Sequence, residues 1–514
     1  MKIRHRCLLG AQLAWCVASV VRSSDARALC PGYGGGRVLV HPEISLTFWG
    51  TAWASNPPPS PSAPAHIGVV QDVVNSPYLA LLNQYQNVAL ARMIPAVNFV
   101  TSSDPPTSLD STTAANFLMT QMSAGAIPPP ASNASADIVY FVFVPPGSTT
   151  GSYHYTASYN GTQFAFAVIS DGGYPAPGLP FTHELAEAVT DPYLNAYGTG
   201  GSNCEIADLC VGKNQIQNAH SVSSYWSIVD NKCVVPTSWS SVYQYLQSSN
   251  SWTQVGNTSV RQIYAGGFGL VATDINNNLL QLLGTYNWQS LGGSPGSMYA
   301  VGANGVLELA SDTSSVSYYS GGSWLTVGGA GSAVYGSSTL AATDYAGDLV
   351  TFNPSGQVWT PIASKADQFA IGGTGIFALA WDHGSVWQHG SGTNWNAIGG
   401  AADELFAGGP SAGFLAATTL DQYKNIVIYS TGTTWIPQGG SGYMFAVVGN
   451  DFGTGKQLLG MLPTVAGGAV YKSNSVTSPN PGWFDTWTPA LPPARIVAGP
   501  RTIYATVGVD YTTY

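Results

Sequence analysis

A tryptophan returns through the second half of the chain at nearly constant intervals. Trp252, Trp288, Trp324, Trp359, Trp395 and Trp435 stand 36, 36, 35, 36 and 40 residues apart. A final, stretched unit reaches Trp487 in TWTPALP. The text between them repeats as well, in QIYAGGFGLVATD, SMYAVGANGVLELASD, AVYGSSTLAATD and QFAIGGTGIFALAWD. Each unit reads as two short alternating strands, a polar turn, and two more strands ending on Trp. A four-stranded unit at this period marks a β-propeller; the repeats of a β-helix are shorter and lack one aromatic per unit. Six units run from about Val260 to Pro493. The C-terminal ARIVAGPRTIYATVGVD supplies two strands of another unit, and SVYQYLQSSNSWTQVG supplies its other two. Residues 237–514 are therefore expected to form an all-β, seven-bladed propeller closed by a split blade, an arrangement that removes exposed sheet edges.

The residues before it differ. Segments 29–236 read as an α/β domain, so the chain is multidomain, as its length of 514 residues requires. RVLVHPEISLTFWG, ADIVYFVFVPP and FAFAVIS are candidate buried strands; VVQDVVNSPYLALLNQYQNVA and STTAANFLMTQMSA are candidate helices; NPPPSPSAPA is a loop. Residues 1–28 read as a secretory signal peptide. MKIRHR is basic, the apolar run after it is too short to cross a bilayer before Arg22, and Ala26-Arg27-Ala28 offers a cleavage site. A secreted, extracellular protein with no membrane span is expected, and a monomer. Removal of Cys7 and Cys16 leaves Cys30, Cys204, Cys210 and Cys233, an even set that predicts two disulfides in one of three pairings. The net charge of −10 argues against a nucleic-acid partner, which calls for a basic stripe.

One short segment carries chemistry. FTHELAEAVTDPYLNAYG opens like the helix of a zinc hydrolase but has Glu187 where H-E-x-x-H would place its second histidine. Pro180 suits a first helical turn, and Asp191-Pro192 should end the helix. At 100° per residue, Phe181, Leu185, Ala188 and Val189 share one face, and His183, Glu184, Glu187 and Asp191 share the other. An ordinary solvated helix face is the plain alternative. Against it, Glu184, Glu187, Asp191, Glu205 and Asp208 crowd together in a chain with only 26 acids, and no Lys or Arg lies between Arg92 and Lys213. A carboxylate cluster without cations is neutralised most directly by a divalent ion, unless Arg37, Arg92 or Lys213 folds onto it. Histidine in the set disfavours calcium and magnesium, so zinc is expected, ahead of manganese or iron. The expected ligands are His183, Glu187 and Glu205, with Asp191 and Asp208 as alternates. Glu184 would be the general base, and His154, His220 and Tyr225 are candidates to stabilise an oxyanion.

Two resemblances bear on this reading. YGGGRVLVHPEISLTFWG, SPYLALLNQY, DIVYFVFVPPG, THELAEAVTDP and EIADLC resemble the exordium (phosphate-induced protein) family over most of residues 30–236. The Trp repeats resemble tectonin-type lectin propellers, in which W-x-x-I/V-G-G closes each unit. The first resemblance implies a secreted protein and supports the His183/Glu184/Glu187 constellation; the second implies a glycan or protein partner for the propeller. Together they give a secreted, peptidase-like zinc hydrolase domain carried on a binding propeller. The alternative is a non-catalytic extracellular protein that binds carbohydrate or a cell surface through the propeller.

Overall fold

The computed structural model describes residues 30–131, 137–170, 177–199, 204–256, 258–363, 365–409, 413–421, 424–442, 444–449, 456–461, 469–489, 493–499 and 502–514. The expected signal segment lies outside them.

The first part of the chain is built on a five-stranded sheet of β1 (Glu43–Trp49), β2 (Arg92–Val100), β3 (Ile138–Phe143), β4 (Tyr153–Tyr159) and β5 (Thr162–Ile169). Its order is β2-β1-β3-β5-β4, with β4 alone antiparallel to its neighbour. β1 and β3 are buried along their whole length, as parallel strands covered on both faces must be. One face packs Phe48, Phe141 and Phe143 against helices α1 (Ala63–Asn75) and α3 (Leu179–Thr190). The other packs Tyr140, Val142 and Phe166 against α2 (Ser111–Ser123) through Ala114, Leu118 and Met122. The helix expected from Val69 instead begins inside the Pro-rich stretch at Ala63 and stops at Asn75. Ser76 precedes a proline and is extended, so the remainder forms only a 3₁₀ turn at Ala80–Gln84. β2 and β4 belong to the sheet although their text, RMIPAVNFV and YHYTASY, lacks a clean apolar pattern.

The propeller has six consecutive four-stranded antiparallel blades: Gln262–Ser290, Gly296–Gly328, Ala333–Ala363, Gln368–Gly399, Leu405–Ser441 and Met444–Asp485. The seventh joins both ends of the propeller, in the order Pro493–Ala498, Ile503–Thr513, Lys232–Leu246, Ser251–Gln254. Each innermost strand touches the next, and Pro493–Ala498 meets Gln262–Gly266 to close the ring. Pro236, the expected boundary, lies within the 15-residue strand Lys232–Leu246. The first half of that strand pairs with Tyr225–Ser227 in the first domain, and its second half with Ser251–Gln254 in the blade.

The repeat has a physical cause. The indole N–H of each repeat tryptophan from the second blade to the sixth donates to a carbonyl of the preceding blade. Trp324 reaches Leu291 at 3.0 Å, Trp359 Val327 at 2.7 Å, Trp395 Ile362 at 2.8 Å and Trp435 Ile398 at 2.8 Å. Trp324, Trp359 and Trp435 also cover a glycine at the end of the preceding unit, Gly293, Gly328 and Gly399 respectively, and a Cβ at Gly399 would stand 2.7 Å from the Trp435 indole nitrogen. In the sixth blade this role belongs to Trp483, which donates to Gln438 at 3.1 Å. Trp487, expected from the sequence, packs instead on Trp252, with ring centroids 5.1 Å apart.

The first domain caps the propeller face that carries the turns between second and third strands. Thr313, Gly347 and His383 occupy such turns with φ of 55°, 85° and 56°. Thr313 donates to the Pro64 carbonyl at 3.1 Å, and the His383 ring lies 3.4 Å from Glu43. A fully buried Asp72–Arg261 ion pair joins α1 to the first blade, and Arg92 pairs with both Glu43, at 2.6 Å, and Asp367.

Candidate metal centre

Helix α3 begins beside Gly178 (φ 112°), with Pro180 in its first turn, and ends at Asp191. Phe181, Leu185, Ala188 and Val189 are buried in the core, as the helical spacing requires. The opposite face is not solvated: Glu184 is 4% exposed and Glu187 2%. Those two carboxylates meet side chains from two other elements. Strand alternation in β4 turns His154 inward while Tyr155 stays exposed. Glu205 and Asp208 come from a segment tied at both ends, since Cys204 is bonded to Cys30 and Cys210 to Cys233.

The resulting cluster is closely spaced. His183 Nε2 lies 3.4 Å from Glu187 Oε1 and 3.4 Å from Asp208 Oδ1. His154 Nδ1 lies 3.5 Å from Glu184 Oε2 and 3.6 Å from Glu187 Oε2, and its Nε2 lies 3.5 Å from Glu205 Oε1. Hydrogen bonds of this type measure about 2.7–3.2 Å. Two ligands each about 2.1 Å from a tetrahedral ion stand roughly 3.4 Å apart. The two His183 separations, both from Nε2, fit shared coordination better than direct hydrogen bonding, whereas the His154 contacts divide between its two ring nitrogens, of which one ion takes only one. His154 Nε2 is moreover buried without a hydrogen-bond partner among the described residues. His183, Glu205 and Asp208 are partly exposed and form the open side, over a floor of His154, Glu184 and Glu187.

The cations that could have neutralised the cluster are engaged elsewhere. Arg37 pairs with Asp137, Arg92 with Glu43 and Asp367, and Lys213 Nζ lies 3.5 Å from Cys233 Sγ. Without a metal the histidines take up the charge. Burial opposes protonation of His154, but Glu184, Glu187 and Glu205 outweigh it and raise its pKa well above the usual imidazole range. Burial likewise opposes the charge on His183, yet Asp208, Glu187 and Glu184 raise it to about 9. Burial pushes Glu205 up to about 7, with Glu187, Asp208 and Asp191 adding repulsion against the attraction of His154. Burial also raises Glu184, partly offset by His154. A site that strains to acquire protons is one where a dication would replace them.

The remaining expected residues lie elsewhere. Asp191 follows α3 and holds the next loop, its Oδ1 accepting from the N–H groups of Asn195 at 2.7 Å and Ala196 at 2.6 Å. Tyr225 donates to the Tyr78 carbonyl at 2.6 Å inside the core. His220 is buried within electrostatic reach of Asp72 and Arg261, at the domain interface. A further group, Glu43, His383 and Asp403, also has mutually close ligand atoms. It shares Glu43 with Arg92, and Asp403 pairs with Lys424, so its charge is already balanced.

No family model matches the chain, and no curated protein matches it significantly. The likenesses to exordium proteins and tectonin repeats therefore rest on the residues quoted above. Among solved structures, the chain is similar to one in the crystal structure of Kap60 bound to yeast RCC1 (Prp20). That match has 10% identity and a TM-score of 0.40, covering 53% of this chain and 91% of that one. It is also similar to YCF48 bound to D1 peptide, at 12% identity and a TM-score of 0.33, covering 55% and 95% of the two chains. A 6-phosphogluconolactonase-like structure from Bacteroides uniformis matches at 15% identity and a TM-score of 0.32, covering 52% and 94%. The seven-bladed propeller itself stands on the chain's own strand pairing.

Proposed function

We propose that the cluster around Glu187 is a divalent-metal site and that the first domain is a secreted, peptidase-like hydrolase with the propeller as its binding module. The observation that carries this is the spacing of 3.4–3.6 Å between ligand-type atoms in a buried cluster that no Lys or Arg among the described residues neutralises. Two imidazoles and four carboxylates suit zinc, and manganese or iron as well. When bound, such an ion supplies Lewis-acid activation of water. His183, Glu187, Glu205, Asp208 and His154 are the residues that would hold it. Glu184 is the candidate general base: its pKa is raised by burial, and its Oε2 lies 3.5 Å from His154 Nδ1. The two disulfides fit an extracellular setting, and they fix the segment that presents Glu205 and Asp208. The family likeness to exordium proteins agrees with a secreted role.

One observation favours a non-catalytic reading. Glu184, Glu187 and His154 are nearly sealed from solvent, as in an ion site that serves structure. In that case the propeller would carry the function by binding a glycan or protein surface. The repeat tryptophans would not be its contacts, because their indole N–H groups are already committed between blades.

The test is to load the protein with zinc and assay peptide and ester substrates beside Glu184→Gln. The hydrolase reading expects turnover that falls by about 10²–10⁴ in the variant while its metal content is unchanged. Metal retained with no turnover in either protein would establish the non-catalytic reading.

A further inference from the structure

Glu187 presents its two oxygens to different partners. Oε1 faces His183 Nε2 at 3.4 Å, and Asp208 Oδ1 completes that side at 3.4 Å from the same nitrogen. On the other side stand His154 and Glu205: His154 gives one ion only one of its nitrogens, and Nδ1 lies 3.6 Å from Glu187 Oε2 while Nε2 lies 3.5 Å from Glu205 Oε1. The ligand atoms within each trio all lie within 4.8 Å of one another. His183 and Glu205, which a one-ion site would use together, fall in different trios.

We infer that Glu187 bridges two divalent cations, one held with His183 and Asp208, the other with His154 and Glu205. This rests on the metal reading proposed above and refines it. Three features argue for the bridge. The Asp208 N–H donates to Glu187 Oε1 at 2.9 Å, which fixes the rotation of the carboxylate so that each oxygen serves its own side. His154 is 3% exposed and its Nε2 has no hydrogen-bond partner among the described residues, as a ligand nitrogen awaiting an ion would be. The third is charge. Four carboxyl groups, those of Glu184, Glu187, Glu205 and Asp208, converge on the two histidines with no Lys or Arg among the described residues beside them, more acidic ligands than one dication matches. A second dication balances the set, and carboxylate-bridged pairs about 3.5–4 Å apart are a recurrent hydrolytic arrangement. The competing occupant of the second position is a proton: His154 as an imidazolium among Glu184, Glu187 and Glu205.

Metal titration of the stripped full-length protein with Mn²⁺, followed by bound-metal analysis and electron paramagnetic resonance, separates the two. The bridge predicts two equivalents at saturation and a spin-coupled signal. Asp208→Asn and Glu205→Gln, nearly isosteric changes on opposite sides, should each drop the stoichiometry to one and leave an uncoupled Mn²⁺ signal. Near-ultraviolet circular dichroism would verify that both variants remain folded. A single equivalent with an uncoupled signal in the native protein would overturn the bridge and leave the metal reading standing. No bound Mn²⁺ or Zn²⁺ at all would overturn both.

Discussion

Gly399 and Gly400 are adjacent, yet a methyl group would meet very different surroundings at the two positions. At Gly399 it would press on the Trp435 indole 2.7 Å away, and at Gly400 it would meet nothing within 4 Å. Gly399→Ala should therefore cost about 1–3 kcal/mol, the usual penalty of overpacking. Gly400→Ala should stay within about 0.5 kcal/mol of the native protein. Thermal melts of the two variants side by side would show the difference. Asp72 makes a second residue-scale prediction. Its carboxylate is the ionic partner of fully buried Arg261 and also accepts from Gln262 at 3.0 Å. Asp72→Ala would leave the guanidinium uncompensated, at a cost of about 3–5 kcal/mol read from chemical denaturation. Neither partner of that pair was visible in the sequence, because 189 residues separate them. His154 was legible only as a candidate. The alternation in YHYTASY could have shown that it points inward, but not that α3 would lie beneath it. Asp191 illustrates the opposite case: an acid before a proline at a helix end serves the N–H groups of the loop that follows as readily as a metal.

Among the elements, the propeller strands were the most legible, since a tryptophan of one blade packs on a glycine of the blade before it at Gly256, Gly293, Gly328, Gly399 and Gly440. The reading slipped only in the sixth blade, where the spacing stretches and Trp483 replaces Trp487. Edge strand β4 and the proline-containing β2 escaped notice because neither presents a continuous apolar run. The segment from Cys204 to Cys210 invites a test at this scale. Cys210→Ser with Cys233→Ser would free one end of the stretch that carries Asp208. Metal affinity should then fall about 10–100-fold, the range seen when supports behind a ligand are lost, as measured by competition with a chelator. The Ile503–Thr513 strand poses a different question, because it is the middle partner of both Lys232–Leu246 and Pro493–Ala498. Ending the chain at Gly499 should open the ring and abolish a cooperative melt. Retention of the native melting curve would contradict the split-blade closure.

The whole molecule is held together by a buried ionic layer between domain and propeller, and this gives it a pH dependence. Burial, reinforced by Asp403 and Glu43 and opposed by Arg92 and Lys424, raises the Glu404 pKa from 4.5 to about 8. A carboxyl raised on folding contributes stability that is complete below about 4.5 and disappears as the pH climbs through about 8. His383 acts in the same sense, since Asp367 and Glu43 outweigh burial and raise it to about 11. Asp367 acts oppositely: Arg92 and His383 overcome its burial and hold its pKa down, so its contribution is lost at acid pH. The melting temperature should therefore decline from pH 5 to pH 8, and Glu404→Gln should flatten that decline. An identical slope in the variant would place the dependence elsewhere, with Glu205 and His183 of the metal-free centre the next groups to examine.

Metal binding at Glu187 can be seen by anomalous X-ray scattering at the zinc edge from crystals of the zinc-loaded protein. A metal site there gives density between Glu187 and the His183–Asp208 pair, with a second peak between Glu187 and the His154–Glu205 pair. Zinc located only elsewhere, with the carboxylates of Glu187, Glu205 and Asp208 bearing none, would contradict it.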